Sequence, residues 1–523
     1  MIKDLQFMPD LPPWGQMPHI TKIEGNAVYR NRAWRPVKGL TRLDFFGSNP
    51  VVESPVVPVR AFVFRGPTGN GIILVACSDG SVKISDPLQS RWREVHPPSE
   101  AAVRWEVVLY GPRFYAVNAG TGEPMYTFAV ADVSDATKSF EAVVNDYEID
   151  STTTVGRAPP VGLRKIVIAR NHLIGIYNHS TRGALVGWSQ LDKPWEWDYG
   201  EGLSDEQILA DNSRVLDVVA SEDAYVWTEN EFYRLSYTGA PPVIWQVDKV
   251  ASNRRLLATG AAALLGRRVF YATYDGFYIY DNAQEHPIGS NRVDDFLRTC
   301  LDESNKDKIY TFNLPTDSEI WVCYAVGSEK PNAAFVYNYF DDTWAHLGSL
   351  PGIHFEGYIS PTGNLPRAFL PTVSGVATIS PTWSGFDPRL TFESSLFADR
   401  RTEPTSALVF AFDEENRIGA ATGIPGSVTV GTNWFEIKQN SDLRQFIEWI
   451  RPFTDANDVN VTVSLTENPL STEIYTVNAN NEYAPTGNIW VGASGRYARF
   501  DFRLDFWNYF EGFDIQTQKD GYQ

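Results

Sequence analysis

GIILVACSDGSVKISD (residues 71–86) consists of an apolar run, an Asp-Gly pair and a second run in which apolar and polar residues alternate. An Asp-Gly pair between two such runs favours the tight turn of a β-hairpin, because glycine readily adopts the positive φ that this turn needs. The stretch therefore predicts two antiparallel β-strands. ATYDGFYIYDN (residues 272–282) repeats the arrangement in the middle of the chain.

Comparable strand-rich units follow along the chain at irregular spacing. A four-stranded propeller blade needs roughly 40–50 residues, and the distance from the start of one unit to the start of the next averages about that number. We expect about six blades, and residues 368–381 are candidates for strands that close the ring or add a seventh blade. Besides residues 71–86, the units lie at residues 107–128, 165–188, 215–237, 261–280 and 308–344.

The fold class predicted is all-β, in three parts. Residues 1–58 are rich in Pro, Trp and Arg and have little periodicity, which indicates an extended N-terminal arm that docks on another protein. Residues 59–382 carry the β-propeller. Residues 383–523 contain longer alternating strands and are predicted to form a C-terminal β-sandwich, although they could instead complete the propeller.

Two local predictions accompany this division. In the β-sandwich, alternation buries four apolar side chains and leaves three charged ones facing water; the apolar ones are Phe500, Phe502, Leu504 and Phe513, and the charged ones are Arg499, Asp501 and Arg503. The best candidate for a helix is residues 290–306, where a Ser or Asn cap precedes the acidic pair Asp294 and Asp295.

Composition limits the classes of function. Of 523 residues, 43% are hydrophobic and 21% charged, which is typical of a folded chain of two or three domains. The formal charge of -19 argues against direct affinity for nucleic acid, since phosphate binding needs clustered Lys and Arg. An acidic surface suits plain solubility, and it equally suits a conduit along which DNA slides without sticking.

Neither a disulfide framework nor secretion is expected. The three cysteines are an odd number without a CxxC pair, which favours reduced, buried thiols. The first residues, MIKDLQFMPD, do not have the pattern of a signal peptide. No apolar run approaches the roughly 20 residues that span a bilayer as a helix, so we expect a soluble protein made in the cytoplasm.

No catalytic, cofactor or metal site is predicted. A Walker loop, an HExxH helix and a GxSxG elbow are all missing, and GASGR (residues 492–496) lacks the last glycine of the elbow. GPTGNG (residues 66–71) leads into a strand, so a turn is expected there. DANDVN (residues 455–460) lacks the glycine and the distal Glu of a calcium loop.

Other candidate groups have structural interpretations. His172 and His179 are seven residues apart across a strand and a turn, which is a poor metal spacing. The doublets 222–223 and 341–342 could supply a glycosidase acid and nucleophile, but only their separation in space would identify them. Four tryptophans in alternating strands are expected to be buried instead of stacking on sugars, namely Trp188, Trp227, Trp321 and Trp344.

The order of several stretches resembles one protein family. They are RWEVVLYGPRFYAVNAG (104–120), GWSQLDKPWEWD (187–198), NEFYRLSYTG (230–239), PIGSNRVDD (287–295), NAAFVYNYFDDTWAHLG (332–348) and SGRYARFDFRLDFWNYFEGFDI (494–515). In this succession the chain resembles the tail nozzle, or packaged-DNA stabilisation, proteins of short-tailed bacteriophages. No single stretch is diagnostic, and none carries over a functional residue.

The resemblance implies a structural virion protein and not an enzyme. Several copies, usually six, form a homo-oligomeric ring at the head-to-tail interface, beneath the portal and adaptor rings. The ring retains packaged DNA, conducts it through its lumen during ejection and carries tail spikes or fibres. The alternative is a carbohydrate-binding or glycan-cleaving β-propeller that acts at a cell surface. A cellular scaffold propeller is a third interpretation, which the missing regular repeat weakens.

Overall fold

The computed structural model describes residues 2–15, 17–37, 40–42, 51–53, 55–65, 71–86, 91–99, 104–119, 122–143, 158–199, 202–209, 213–241, 243–315, 317–328, 330–348, 350, 354–358, 407–412, 415–421, 426–438, 444–456, 458–480 and 487–519. Within these residues the protein is almost entirely β-structure, as predicted. The described helices are α1 (Asp294–Cys300) and two 3-10 helices at Val130–Asp132 and Glu303–Lys308.

Six short strands lie in the described N-terminal residues. They are β1 (Ile2–Lys3), β2 (Trp14–Gly15), β3 (Ile20–Glu24), β4 (Ala27–Arg30), β5 (Ala33–Pro36) and β6 (Leu40–Arg42). Strands β4 and β5 form a hairpin whose turn residues, Asn31 and Arg32, both have positive φ, at 53° and 61°.

Six groups of four consecutive strands follow, and each group forms an antiparallel sheet in which sequence neighbours pair. The first sheet is β7 (Pro58–Arg65), β8 (Gly71–Cys77), β9 (Val82–Asp86) and β10 (Arg91–His96); the second is β11 (Arg104–Tyr110), β12 (Arg113–Ala119), β13 (Tyr126–Ala129) and β14 (Glu141–Ala142); the third is β15 (Leu163–Ala169), β16 (His172–His179), β17 (Gly183–Trp188) and β18 (Asp205–Ile208).

The fourth sheet is β19 (Val215–Ala220), β20 (Ala224–Thr228), β21 (Glu231–Ala240) and β22 (Val243–Ser252); the fifth is β23 (Ala262–Leu265), β24 (Arg268–Thr273), β25 (Gly276–Tyr280) and β26 (Glu285–Pro287); the sixth is β27 (Tyr310–Leu314), β28 (Glu319–Tyr324), β29 (Ala333–Asn338) and β30 (Thr343–Leu347). Each hairpin that the sequence predicted lies within one of these sheets.

A seventh four-stranded sheet combines distant parts of the chain. Strands β31 (His354–Tyr358), β32 (Ala407–Phe412) and β33 (Ile418–Ala421) pair in order, and the N-terminal strand β6 pairs with β33. Strands β32 and β33 lie beyond the predicted boundary at residue 382, yet they join this sheet. The candidate strands at residues 368–381 lie outside the described residues.

The first strands of the seven sheets contact one another in sequence. Strand β7 contacts β11, and contacts continue through β15, β19, β23 and β27 to β31. Strand β31 in turn contacts β7, so the order is closed. The structure thus has seven four-stranded sheets among the described residues, where the sequence predicted about six units.

Eight further strands complete the described chain. They are β34 (Val428–Thr432), β35 (Trp434–Glu436), β36 (Gln445–Thr454), β37 (Asp458–Thr466), β38 (Tyr475–Asn480), β39 (Ile489–Gly495), β40 (Tyr497–Asp505) and β41 (Phe510–Lys519). They form two larger sheets with N-terminal strands. One has the order β39-β36-β41-β5-β4, with β1 on β41; the other has the order β2-β35-β40-β34-β3, with β37 on β40 and β38 on β37.

Aromatic side chains from strands of the two larger sheets pack together. The ring centroid of Phe513 lies 5.1 Å from that of Phe500 and 4.8 Å from that of Phe502. The predicted burial of Phe500, Phe502, Leu504 and Phe513 is confirmed, since each is fully buried. Arg503 is exposed as predicted, whereas Arg499 and Asp501 are partly covered.

The N-terminal segment differs from the extended arm that the sequence indicated. Strand β3 pairs with β34, β2 pairs with β35, and β1 and β5 pair with β41. The indole of Trp34 is buried and donates a hydrogen bond to the carbonyl oxygen of Leu5 at 2.9 Å. Periodicity was weak because each strand is only two to five residues long.

The same segment also binds the sixth four-stranded sheet and helix α1. The Arg30 guanidinium forms two hydrogen bonds with the Glu319 carboxylate, one of them at 2.8 Å, and Glu319 is fully buried. The Asp10 carboxylate accepts hydrogen bonds from the backbone N–H groups of Asp295 (2.8 Å) and Phe296 (2.7 Å). Asp10 therefore caps α1, where the sequence predicted a local Ser or Asn cap and a longer helix.

The prediction of reduced, buried thiols is confirmed for two of the three cysteines. All three cysteines are free; Cys77 and Cys323 are buried and Cys300 is partly buried. No helix in the described part of the chain has the length and apolarity to cross a bilayer.

We predict that Arg30→Met lowers the free energy of unfolding by about 3–5 kcal/mol, because the buried Glu319 carboxylate loses its cationic partner and keeps the hydrogen bond from Trp321 Nε1–H at 2.9 Å. Lys22→Met is the matched control, since Lys22 pairs with Glu24 on the surface, where both side chains are more than half exposed. That control is expected to change stability by about 0.5 kcal/mol or less. Urea denaturation measures both, and equal effects of the two variants would contradict a buried anchor.

Candidate functional site

In three of the seven four-stranded sheets, the first strand has an irregular pairing near its start. The pairing register shifts between Pro58 and Arg60 in β7, between Leu163 and Lys165 in β15, and between Val215 and Asp217 in β19. A β-bulge changes the direction in which the following side chain points. Each shift here is followed by a charged residue.

These three residues, Arg60, Lys165 and Asp217, form together with Glu106 of β11 what we call the charge belt. Arg60 of β7 pairs with Glu106 of β11, and the Lys165 ammonium of β15 lies 2.5 Å from an Asp217 carboxylate oxygen of β19. Both carboxylates are almost fully buried. The second oxygen of Asp217 accepts a hydrogen bond from Gly260 N–H at 2.7 Å, just before β23. The belt thus links five neighbouring sheets.

Electrostatics keep the Glu106 carboxylate ionised. Burial on its own raises the pKa of Glu106, but the positive charges of Arg60, Lys165 and Arg104 outweigh it and lower the pKa to about 2. The charged form of Glu106 is therefore part of the folded state at neutral pH.

Arg104 lies beside the charge belt, and one of its hydrogen-bond donors has no partner among the described residues. Its Nε donates to Glu106 at 2.9 Å, and its Nη1 donates to the carbonyl oxygens of Asp307 and Ile309 at 3.0 and 2.9 Å. Its Nη2 is buried without a hydrogen-bond partner among the described residues. Gly260 makes room for this group, because a Cβ there would lie 1.9 Å from Nη2, and its φ of +87° also favours glycine.

Arg164 occupies the bulge of β15. Its Nε is buried and has no hydrogen-bond partner within the described part of the chain. Burial, and then the positive charges of Arg214 and Arg104, lower the pKa of Arg164, whereas Asp217 and Glu229 oppose this. Two cationic side chains with unused donors therefore lie close to each other.

Both arginines line a pocket of about 430 Å³, which we call the basic pocket. Strands β7, β8, β11 and β15 contribute to it, as do the segments before β23 and β27. Trp105, Ala76 and Tyr310 provide apolar wall, and Lys308 and Asp307 lie at its edge. A volume of this order is typical of small-molecule sites.

The chemistry of the basic pocket favours binding over catalysis. Its polar groups include three guanidinium groups, from Arg60, Arg104 and Arg164. Cys77 also lines it, but burial raises the pKa of this thiol to about 12, so the nucleophilic thiolate is not formed at neutral pH. Among the described residues no cluster of three His, Cys, Asp or Glu side chains could hold a metal ion.

The acidic doublets lie in separate ion pairs. Asp223 pairs with Arg234 at 2.6 Å, and Glu222 pairs with Arg170 at 3.1 Å. Asp342 has a φ of 51° and pairs with Arg292 at 2.9 Å, which is the arrangement of a turn. Each of these three carboxylates therefore has a basic partner of its own.

The histidines of the considered metal pair are also apart. His172 begins β16, is buried and shares a hydrogen bond with the Ser189 carbonyl oxygen at 2.7 Å. His179 ends the same strand and is exposed. Residues 492–496 lie in and next to β39, and Asp455 of residues 455–460 accepts from Asn508 N–H at 2.8 Å. Residues 66–70 of the glycine-rich stretch lie outside the described residues.

Burial of the strand tryptophans is confirmed. Trp227 and Trp321 are fully buried, Trp344 is 1% exposed and Trp188 is 3% exposed. Large exposed aromatic side chains occur at Trp14, Trp490 and Tyr475 in strands of the two larger sheets, at Phe506 just after β40, and at Phe340 in the turn between β29 and β30.

The sequence prediction missed the basic pocket. One signal was present, namely charged residues inside otherwise apolar strands, as in RWEVVLY at β11 and LRKIVIA at β15. Charged side chains are rarely buried unless paired, so a charged residue at an inward position indicates a partner. The partner could not be named, because it lies about 50 residues away in each pair.

We predict that Glu106→Gln lowers the free energy of unfolding at pH 7 by about 3 kcal/mol, as expected for a pKa that falls from 4.5 to about 2 on folding. Because the folded-state pKa is the lower one, this stabilisation is present above about pH 4.5 and is lost as the pH falls towards 2. Urea denaturation of both proteins across this range measures the difference.

Glu303→Gln is the matched control, since the Glu303 side chain is 64% exposed and pairs with Lys306 on the surface. Its effect is expected to be small at every pH. A difference between wild type and Glu106→Gln that stays constant from pH 7 to pH 2 would show that ionisation of Glu106 does not stabilise the fold.

Comparisons with known proteins leave the family open. No protein-family model matches the chain, and no curated protein matches it. Among solved structures, the chain is similar to the computationally designed Ika8 protein, with a TM-score of 0.35 and 8% sequence identity over 79% of this chain and 99% of that one.

Proposed function

We propose that this chain is a structural subunit of the tail of a short-tailed bacteriophage. Its copies form a nozzle ring, with six copies favoured, below the portal and adaptor rings. The ring retains packaged DNA and conducts it during ejection. The chain is made in the host cytoplasm, ends in the virion and is not an enzyme.

The observation that carries the proposal is the closed order of contacts among β7, β11, β15, β19, β23, β27 and β31. We infer that the seven four-stranded sheets are the blades of a β-propeller whose inner strands are these seven. Strand β6 is the outer strand of the last blade, and β7, next in the chain, is the inner strand of the first. Such closure protects sheet edges.

We further infer that the two larger sheets form a β-sandwich around the aromatic core of Phe500, Phe502 and Phe513. A propeller followed by a β-sandwich is the architecture that the resemblance to tail nozzle proteins implies. Strands β1–β5 belong to this β-sandwich, so the proposal does not assign the adaptor contact to the N-terminal segment.

Exposed apolar groups support assembly with other copies or with other tail proteins. Leu470 is 75% exposed, Ile474 49% and Tyr475 63%, and the three lie within six residues. They precede and begin β38, which pairs only with β37 and leaves its other edge unpaired among the described strands. Exposed apolar patches and free strand edges are both typical of interfaces.

The net charge of -19 supports the role of the ring lumen. A polyanion passes an acidic wall without adhering, because the phosphates find few cations to displace their counterions. No membrane-crossing helix is expected for such a part, and spikes or fibres attach to its outer surface.

The alternative, a carbohydrate-binding or glycan-cleaving propeller at a cell surface, has less support. Sugar rings stack on exposed aromatics, whereas the strand tryptophans of the seven sheets are buried. The exposed Trp490 and Tyr475 in the two larger sheets, and Phe340 in the turn between β29 and β30, favour this alternative.

We predict that the purified chain, mixed with the portal and adaptor rings of its phage, adds a closed layer with a central channel in negative-stain electron micrographs. The rotational symmetry of that layer gives the ring size, for which six is expected. The chain incubated alone, and with an unrelated portal, is the control. Single particles that ignore both rings, together with binding to or cleavage of a capsule polysaccharide, would favour the alternative.

A further inference from the structure

We propose that the basic pocket binds a small, multivalent oxyanion of the phosphate class. This inference concerns one chain by itself and does not depend on ring assembly or on the proposed role in a phage tail. It starts from three properties of the pocket, which are its charge, its unused hydrogen-bond donors and its size.

The charges in and around the basic pocket do not balance. Arg60, Arg104, Arg164 and Lys165 face two carboxylates, Glu106 and Asp217. Lys308 and Asp307 at the edge offset each other, as do Arg214 and Glu229 around Arg164. The described residues therefore leave a surplus of two positive charges, inside a protein whose net charge is -19.

Hydrogen-bond donors without a partner indicate where in the basic pocket a ligand would lie. Arg104 Nη2 and Arg164 Nε are buried and have no hydrogen-bond partner among the described residues. Leaving a charged donor buried and unsatisfied is costly, so such groups in folded proteins normally face an acceptor. Both arginines line the same pocket, and one oxyanion placed between them satisfies both donors.

The guanidinium donors of the basic pocket favour anions of the phosphate class over other anions. Guanidinium groups present planar, fixed N–H donors that match the oxygens of phosphate, and two of them match an anion with several oxygens better than chloride. A divalent anion cancels the surplus charge. The pocket volume of about 430 Å³ admits orthophosphate, pyrophosphate or a small phosphate ester, and Trp105 and Tyr310 provide wall for the remainder of an ester.

The site is built and not a surface cluster. Arg104 is fixed by Glu106 and by the carbonyl oxygens of Asp307 and Ile309, so its free Nη2 has a defined direction. Gly260 leaves the space that this group occupies. A preorganised donor costs little further entropy when the anion binds.

Isothermal titration calorimetry of the full chain, in chloride buffer at constant ionic strength, tests the proposal with orthophosphate, pyrophosphate and adenosine monophosphate as probes. We expect saturable binding at one site per chain. Arg164→Gln is expected to weaken binding roughly tenfold or more, because it removes a charge-assisted donor. Arg267→Gln is the matched control, since Arg267 is 82% exposed, and it is expected to leave the dissociation constant unchanged.

A thermal melt in chloride buffer separates binding from folding. Arg164→Gln is expected to be at least as stable as wild type without phosphate, because it removes a cation that lies near Arg104 and Arg214. Phosphate is expected to raise Tm for wild type and Arg267→Gln but not for Arg164→Gln. Arg164→Lys keeps the positive charge but not the planar donors, so it is expected to bind phosphate with an affinity between those of wild type and Arg164→Gln. If Arg164→Gln fails to fold, Arg164→Lys replaces it in both measurements.

Each outcome decides the proposal. Tighter binding of the nucleotide than of orthophosphate supports an ester ligand, and binding of orthophosphate alone supports the free ion. No saturable binding of any of the three probes, or equal affinity in wild type and Arg164→Gln, overturns the proposal. An effect that chloride reproduces at the same ionic strength overturns it as well.

Discussion

Two buried ion pairs between neighbouring first strands, Arg60–Glu106 and Lys165–Asp217, constrain how the first four sheets lie against one another. A buried carboxylate without a partner costs several kcal/mol, so each pair is tolerated only when its two sheets are in contact. Hydrophobic packing alone is non-directional and permits sheets to slide. The ion pairs, in contrast, are directional. The bulges in β7, β15 and β19 orient Arg60, Lys165 and Asp217 towards their partners.

Pairing of the N-terminal strands with strands far away in the sequence is a second constraint on the fold. Strand β6 completes the seventh sheet, and β1–β5 complete the two larger sheets. Arg30 and Asp10 then join this N-terminal segment to the sixth sheet and to α1. The two larger sheets and this N-terminal segment share one apolar core with the first, fourth, fifth, sixth and seventh four-stranded sheets. The second and third sheets pack with their neighbours in separate apolar clusters.

Most of the structural features that could be predicted from the sequence depend on local residue patterns. The Asp-Gly hairpin at residues 71–86 and the alternation around Phe500 depend on neighbours in the chain, and both agree with the structure. Strands β1 and β2 could not be predicted, since a strand of two residues has no period and its partner lies more than 400 residues away. Likewise the basic pocket depends on Arg104 and Arg164, whose proximity only the tertiary fold creates.

The contrast between an acidic exterior and a basic interior has a physical consequence. The acidic surface raises the free energy of any anion that approaches, and mobile salt ions screen this effect within about 10 Å. The guanidinium groups of Arg104 and Arg164 lie where burial weakens that screening. A pocket of about 430 Å³ has room for a small anion but not for a DNA strand. The proposed passage of DNA and the proposed binding of a small anion are therefore physically compatible, because one concerns the surface of the chain and the other a buried pocket.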